Sequence, residues 1–139
     1  MTNENIYSKV IEYIKYYVIG TKYEWESDFE NMFYIFDKNL RACTPSNILD
    51  VGCSNGSRTV RIADYFKVSL DNVYGIDYND ELIKSCEELF NVISIDLESD
   101  NLPYESNCFD LVICNQILEH LKRYAEVLND IIRVTKKRG

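Results

Sequence analysis

Residues Asp50-Val51-Gly52-Cys53-Ser54-Asn55-Gly56 constrain this chain more than any other stretch. They follow a strand-like apolar run over 47–51. They precede 57–66, where Val60, Ala63 and Phe66 recur at helical spacing. A turn from the carboxyl end of a strand into a helix lets the backbone approach a ligand closely. Glycine there removes the side chain that would block the approach. A dinucleotide fingerprint would need G-x-G-x-x-G. Counted from Gly52, the other two positions hold Ser54 and Ser57, so that pattern fails. The alternate-residue pattern D-x-G-x-(G/S)-x-G fits instead, through Asp50, Gly52, Ser54 and Gly56.

The rest of the chain continues the strand–helix alternation. Strands are predicted over 47–51, 72–76, 92–95 and 109–114. Helices are predicted over 57–66 and 80–90, the second with Leu82, Cys86 and Leu89 or Phe90 inward, and 117–135 reads as mostly helical. A polar loop over 97–107, containing Pro103, separates the last two strands. NILDV and LVIC are apolar on both faces, as strands buried between helix layers must be. The β-α-β-α-β order predicts an α/β fold with a parallel sheet and right-handed crossovers. Ahead of it, Ile6, Val10, Ile14 and Tyr17 or Val18 share one helical stripe. Trp25, Phe29, Met32 or Phe33, Phe36 and Leu40 share another. Gly20-Thr21 lies between the two runs, and Thr44-Pro45-Ser46 ends the helical region. Residues 1–45 therefore read as a helical cap of two amphipathic helices, and 46–139 as the α/β domain.

A length of 139 residues supports one core. The net charge of −8 argues against nucleic acid as a partner, since phosphate-gripping proteins carry a basic face. The one dense basic cluster, Lys136-Lys137-Arg138, reads as a solvated terminus. Five cysteines, an odd number without a C-x-x-C pair, argue against a disulfide framework and against a zinc site. Lys9, Glu12 and Lys15 interrupt the apolar N-terminal stretch, which excludes a signal peptide core or a membrane span there. These features predict a cytoplasmic chain with no bound metal and no membrane insertion.

The predicted second strand ends at Asp77, 21 residues after Gly56. A carboxylate there can accept a bidentate pair of hydrogen bonds from ribose hydroxyls. The third strand ends at Asp96-Leu97. Then come Leu102-Pro103-Tyr104, Phe109-Asp110-Leu111-Val112, and Asn115-Gln116-Ile117-Leu118-Glu119-His120-Leu121. Over roughly 46–139 these elements resemble class I S-adenosylmethionine-dependent methyltransferases, in particular the small-molecule and lipid-type group. The loop over 50–56 is similar to that family's first motif, with Ser54 where many members have glycine.

The resemblance implies a Rossmann-like sheet of order 3-2-1-4, part of a seven-stranded arrangement 3-2-1-4-5-7-6. It implies S-adenosyl-L-methionine as cofactor. Asp50, Gly52, Cys53, Ser54 and Gly56 would form its loop, and Asp77 would hold the ribose with Tyr78 beside it. Asp96 would accept from the adenine amino group and Leu97 would lie on the ring. Asn115 and Gln116 would lie beside the methionine part and the transferring methyl. Tyr78, Tyr104 and Cys114 also read as structural residues.

The sulfonium methyl is already activated, so the family's catalysis is largely alignment and exclusion of water. A base is needed only where the acceptor must lose a proton. His120, the sole histidine, and Glu119 are weak candidates for it; in the family this pair more often shapes the helix start and the pocket wall. The segment 133–139 looks like the turn into a fifth strand, where the chain stops, so it reads as C-terminally truncated. The fourth strand would then be an exposed apolar edge, expected to be covered by the N-terminal helices, a second copy in a homodimer or a partner chain. The expected function is methyl transfer to a small-molecule or lipid-like acceptor. The alternative is a non-catalytic, truncated S-adenosylmethionine-binding or protein-interaction module. An NAD-dependent oxidoreductase fails on the glycine spacing.

Overall fold

The computed structural model of the chain describes residues 25–137. The helix predicted across Ile6 to Val18, and its stop at Gly20-Thr21, lie outside the described residues. The chain divides at Thr44/Pro45 into two units. In the first, helix α1 (Trp25–Asn39) agrees with the second aromatic stripe. The Phe33 and Phe36 rings meet edge-on with centroids 6.0 Å apart. The Asn39 side chain donates back to the Ile35 carbonyl (3.1 Å) at the helix end.

The second unit is a four-stranded parallel sheet with helical crossovers. Its elements are β1 (Ile48–Val51), α2 (Ser57–Phe66), β2 (Val73–Asp77), α3 (Asp80–Lys84), β3 (Asn91–Ser94), β4 (Leu111–Cys114) and α4 (Tyr124–Val134). The order across the sheet is β3-β2-β1-β4, all parallel, as the methyltransferase resemblance implies. Ile48 pairs with Val73 on one side and Leu111 on the other, and Tyr74 pairs with Asn91. All residues of β1 are buried, as a central parallel strand requires. On one face, Leu49, Val51, Ile76 and Phe109 pack with Val127, Ile131 and Val134 of α4 and with Leu97 and Leu102 of the long loop. Burying each such side chain contributes about 1.5–3 kcal/mol. The rings of Tyr74, Tyr104 and Phe109 close this core edge-on, with centroids 4.8–6.1 Å apart.

Three helix boundaries or phases differ from the sequence expectation. The predicted helix 80–90 is regular only over Asp80–Lys84. Its inward residues are Ile83, Cys86 and Phe90, while Leu82 and Leu89 are exposed. The Asn79 side chain caps it, accepting from Glu81 N (3.0 Å) and Leu82 N (3.2 Å), and this sets the helix phase. The Ser85 hydroxyl then donates to the Leu82 carbonyl, a bond that favours a turn over further helix. In α2 the buried positions are Thr59, Ile62 and Ala63, where Val60, Ala63 and Phe66 are expected. The stripe is rotated because Thr59 is drawn inward to a buried acceptor, Asp50. Finally, the helical stretch 117–135 splits into a tight turn, Leu118–His120, and α4. Leu121 is extended between them, and Lys122 N donates to Glu98 Oε1 (2.8 Å) rather than up a helix.

The strand predicted from 109 begins at Leu111 because the two residues before it are engaged elsewhere. Asp110 N donates to the Asn47 side chain (2.8 Å), and Phe109 makes a parallel bridge with Thr135. Phe109 N donates to Val134 O (2.9 Å) and Lys136 N to Phe109 O (2.8 Å). So the segment after α4 runs alongside the start of β4, on the edge away from β1. Asp110 fastens both neighbours, accepting from Ser46 N (2.7 Å) and pairing with Lys136 Nζ (3.0 Å). Burial pulls its carboxyl upward, but the Ser46 donor and the Lys136 ammonium outweigh that and hold it below the usual range.

Arg133, which the sequence places at the start of a turn toward a fifth strand, clamps the long loop to α4. Its Nε donates to Asp130 (2.6 Å), and its guanidinium donates to the carbonyls of Tyr104 (2.7 Å) and Leu102 (3.0 Å). Asp130 in turn accepts from Leu102 N. Arg133→Ala should lower stability by about 2–3 kcal/mol, because it strands a mostly buried carboxylate and two carbonyls. Urea unfolding measures the loss. Lysine should not rescue it, since a point ammonium cannot bridge both carbonyls and the carboxylate at once. Among the described residues no helix is long and apolar enough to cross a membrane.

Candidate functional site

Parallel pairing in register brings the carboxyl ends of all four strands to one edge. Val51 pairs with Ile76 and Cys114, and Asp77 pairs with Ser94. Gly52, Asp77 with Tyr78, Asp96 with Leu97, and Asn115 with Gln116 therefore lie on the same edge of the sheet.

The loop after β1 is tied into β2. Gly52 N (2.8 Å) and Cys53 N (2.9 Å) both donate to the Ile76 carbonyl, and Gly56 N donates to Cys53 O (2.9 Å). Gly52, Ser54 and Gly56 all have positive φ, at 84°, 52° and 79°. This is the physical meaning of the alternate-residue pattern: three positions of the turn take left-handed backbone, where glycine is favoured. Ser54 adopts that conformation with a side chain, and its N–H donates to Asp77 Oδ2 (2.9 Å). The other Asp77 oxygen accepts from Asn79 N (3.0 Å). Each carboxylate oxygen has capacity for one more hydrogen bond, so a diol could be received by a carboxylate already fixed in orientation. Tyr78, beside it, is 76% exposed.

Ile95 N donates to Asp77 O (2.8 Å), which carries the chain past β2 toward Asp96. The Asp96 carboxylate accepts from Glu98 N (2.9 Å), and Leu97 is buried in the core against the sheet. At the end of β4, Asn115 is buried and Gln116 takes positive φ (56°). Ile117 follows and sits directly on the loop. A Cβ at Gly52 would overlap its Cγ1 and Cδ1.

Asp50 is placed differently from the other loop residues. It is 2% exposed, beneath the turn, and accepts from Thr59 Oγ1 of α2 (2.7 Å). Burial pushes its carboxyl up to about 6; the Thr59 hydroxyl and the Arg58 guanidinium oppose this and nearby Asp77 adds to it. Asp50 thus braces the loop from below, through the start of α2. The folded chain holds this proton up to about pH 6 while the unfolded chain releases it near 3.8, so protonation favours the fold. The contribution of Asp50 is fully favourable below about pH 4, falls as pH rises, and is about 3 kcal/mol lower above pH 6. Asp50→Asn should remove that dependence and raise stability at pH 7.5 by about 2 kcal/mol, measured by denaturant unfolding across pH 4–8.

His120 and Glu119 sit on the turn after β4. The His120 ring is largely exposed, 3.9 Å from Glu119 Oε1. The Cys114 thiol is pushed up to about 12 by burial, with Asp50 and Glu119 nearby, so it stays protonated. All five cysteines are free thiols. Among the described residues no group of three or more His, Cys, Asp or Glu could hold a metal.

The sequence reading missed Thr59 and Ile117. A Thr at the third position of a helix that follows a buried Asp is a usable signal for the first. Ile117 had no sequence signal, because its neighbour Gly52 lies on another strand end.

Residues 49–139 match the family model described as "Methyltransferase domain". Among curated proteins the chain is similar to demethylmenaquinone methyltransferase of Bacillus mycoides, 33% identical over 68% of this chain and 42% of that protein. It is also similar to norajmaline N-methyltransferase of Rauvolfia serpentina, 29% identical over 65% of this chain and 32% of that protein. The match thus spans less than half the length of these relatives. Among solved structures, the (4+2)-cyclase SpnF superposes with a TM-score of 0.66 at 21% identity, covering 85% of this chain and 45% of that one. An S-adenosylmethionine-dependent methyltransferase from Mesorhizobium loti superposes with 0.57 at 22% identity, covering 75% and 50%. The parallel sheet, the left-handed loop after its first strand and the matched family model converge: this chain belongs to the methyltransferase-domain family.

Proposed function

We propose that this chain binds S-adenosylmethionine along the carboxyl edge of its sheet and serves as the cofactor-binding part of a methyltransferase acting on a small-molecule or lipid-like acceptor. The observation that carries this reading is Asp77. Backbone donors from Ser54 and Asn79 fix both of its oxygens, and the residue that fixes one of them belongs to the glycine loop. A carboxylate so held suits a ribose diol. The left-handed turns at Gly52 and Gly56 shape the loop that would take the amino-acid part, with Asn115 and Gln116 at the neighbouring strand end. Asp96 offers an acceptor for the adenine amino group, and the backbone at Leu97 lies beside it, with its side chain in the core.

When bound, S-adenosylmethionine supplies an activated methyl group on a sulfonium. The chain's own residues orient it and exclude water, and Ile117 covers the loop at Gly52. Glu119 and His120 lie at the β4 side of the edge, where a base would serve only an acceptor that must lose a proton. Five free thiols accord with a cytoplasmic setting. The domain reading, a helical cap over 1–45 and a cofactor domain over 46–139, belongs to this proposal. So does coverage of the rest of the outer edge of β4, beyond the Thr135–Lys136 segment, by a second copy or a partner chain.

A second reading, a cofactor-binding or interaction module without methyl transfer, draws support from the likeness in fold to the (4+2)-cyclase SpnF. Calorimetric titration with S-adenosylmethionine and with NAD tests the binding claim. Saturable binding of the first and none of the second is expected; the reverse would sink it. Transfer of a labelled methyl group to a panel of amines and quinols separates the two readings.

A further inference from the structure

Two thiols meet behind the loop that follows β1. Cys53 belongs to that loop. Cys86 belongs to the turn after α3, and both are buried. Their sulfurs lie 3.9 Å and 3.8 Å from one and the same carbonyl oxygen, that of Ser54. Each thiol lies near enough to the other to shift its titration. Packing around the pair is tight. Cβ atoms built on Gly56 and Gly75 would come within 2.7 Å of the Cys86 Cβ and the Cys53 sulfur, respectively. No step of methyl transfer uses either thiol.

We propose that Cys53 and Cys86 are a disulfide-forming pair whose oxidation disables the cofactor loop; the effect on binding rests on the S-adenosylmethionine reading above. The reaction is exchange with a low-molecular-weight disulfide such as oxidised glutathione. The Cys86 thiolate, on the turn whose neighbours Ser85 and Glu87 are exposed, attacks one glutathione sulfur and expels a glutathione thiolate. The Cys53 thiolate then attacks the Cys86 sulfur of the mixed disulfide and expels the second. The protein gives up two protons and two electrons, and the glutathione disulfide takes them as two thiols. Burial raises both thiols above their ordinary values. Exchange is therefore slow and proceeds when the loop opens.

Closing the bond draws the sulfurs to about 2 Å and removes both S–H donors from the Ser54 carbonyl. Gly56, Gly75 and Phe90 leave no slack beside them, so the backbone at Ser54 must move. That residue's N–H is the one that orients Asp77. The oxidised loop should therefore hold the cofactor less well.

The test treats the full chain with oxidised glutathione, then maps peptides by mass spectrometry without reduction and titrates S-adenosylmethionine. The expected result is a Cys53–Cys86 linked peptide and an affinity at least tenfold lower, restored by dithiothreitol. Cys86→Ser should bind the cofactor as the reduced wild type does and should lose the sensitivity to oxidant. Glutathione adducts on Cys43 or Cys108 without a Cys53–Cys86 link would overturn the proposal, as would a linked protein of unchanged affinity. If the reduced wild type binds no S-adenosylmethionine, the cofactor reading fails, while the peptide map still decides whether the pair forms.

Discussion

Asp77→Ala should weaken S-adenosylmethionine binding by a hundredfold or more and also loosen the apo protein. The ribose contact alone, a charge-assisted interaction, contributes about 1.5–3 kcal/mol. The structure adds a second loss. Asp77 accepts from the Ser54 and Asn79 backbone, so alanine also leaves those two N–H groups without their carboxylate and frees the loop after β1. We expect a total of about 4 kcal/mol in binding, part of it as the cost of ordering the loop again. Asp77→Asn separates the parts, because an amide keeps one acceptor and the shape but turns a donor toward one of the N–H groups. Calorimetry should place it between wild type and alanine. Equal affinity for all three proteins would mean that the carboxylate does not face the ligand.

Gly52→Ala should destabilise the chain by about 2–5 kcal/mol. Two costs coincide there. A φ of 84° is left-handed backbone, which costs an L-residue about 1–2 kcal/mol. The new Cβ also overlaps the Ile117 side chain, and overpacking of this kind adds about 1–3 kcal/mol. The double variant Gly52→Ala/Ile117→Ala should recover the overlap and keep the backbone strain. Its stability should exceed the sum expected from the two single changes by about 1–2 kcal/mol. Additive losses in urea unfolding would show that Ile117 does not press on the loop.

Much of this site is legible in the sequence because it depends on backbone geometry that few residues satisfy. Gly52, Ser54 and Gly56 alternate because three positions of one turn are left-handed. Asp77 is found by its distance from the loop, which one helix and one strand fix. The parts that were not legible depend on contacts between distant segments. The phase of α3 was open because Leu82, Ile83, Cys86, Leu89 and Phe90 contain two overlapping apolar stripes. The Asn79 cap chooses between them. Asp50 reads as a loop ligand because it begins the motif, yet Thr59 holds it underneath. Arg133 reads only as the start of a turn because its partners, the Leu102 and Tyr104 carbonyls, are about thirty residues away.

A crystal structure of this chain grown with S-adenosylhomocysteine tests the proposed pocket most directly. We expect the ribose hydroxyls on the Asp77 carboxylate, the adenine beside the backbone at Leu97 with its amino group toward Asp96, and the amino-acid tail along the loop over 52–56. A nucleoside seated elsewhere, with Asp77 bonded only to Ser54 and Asn79, would contradict the account.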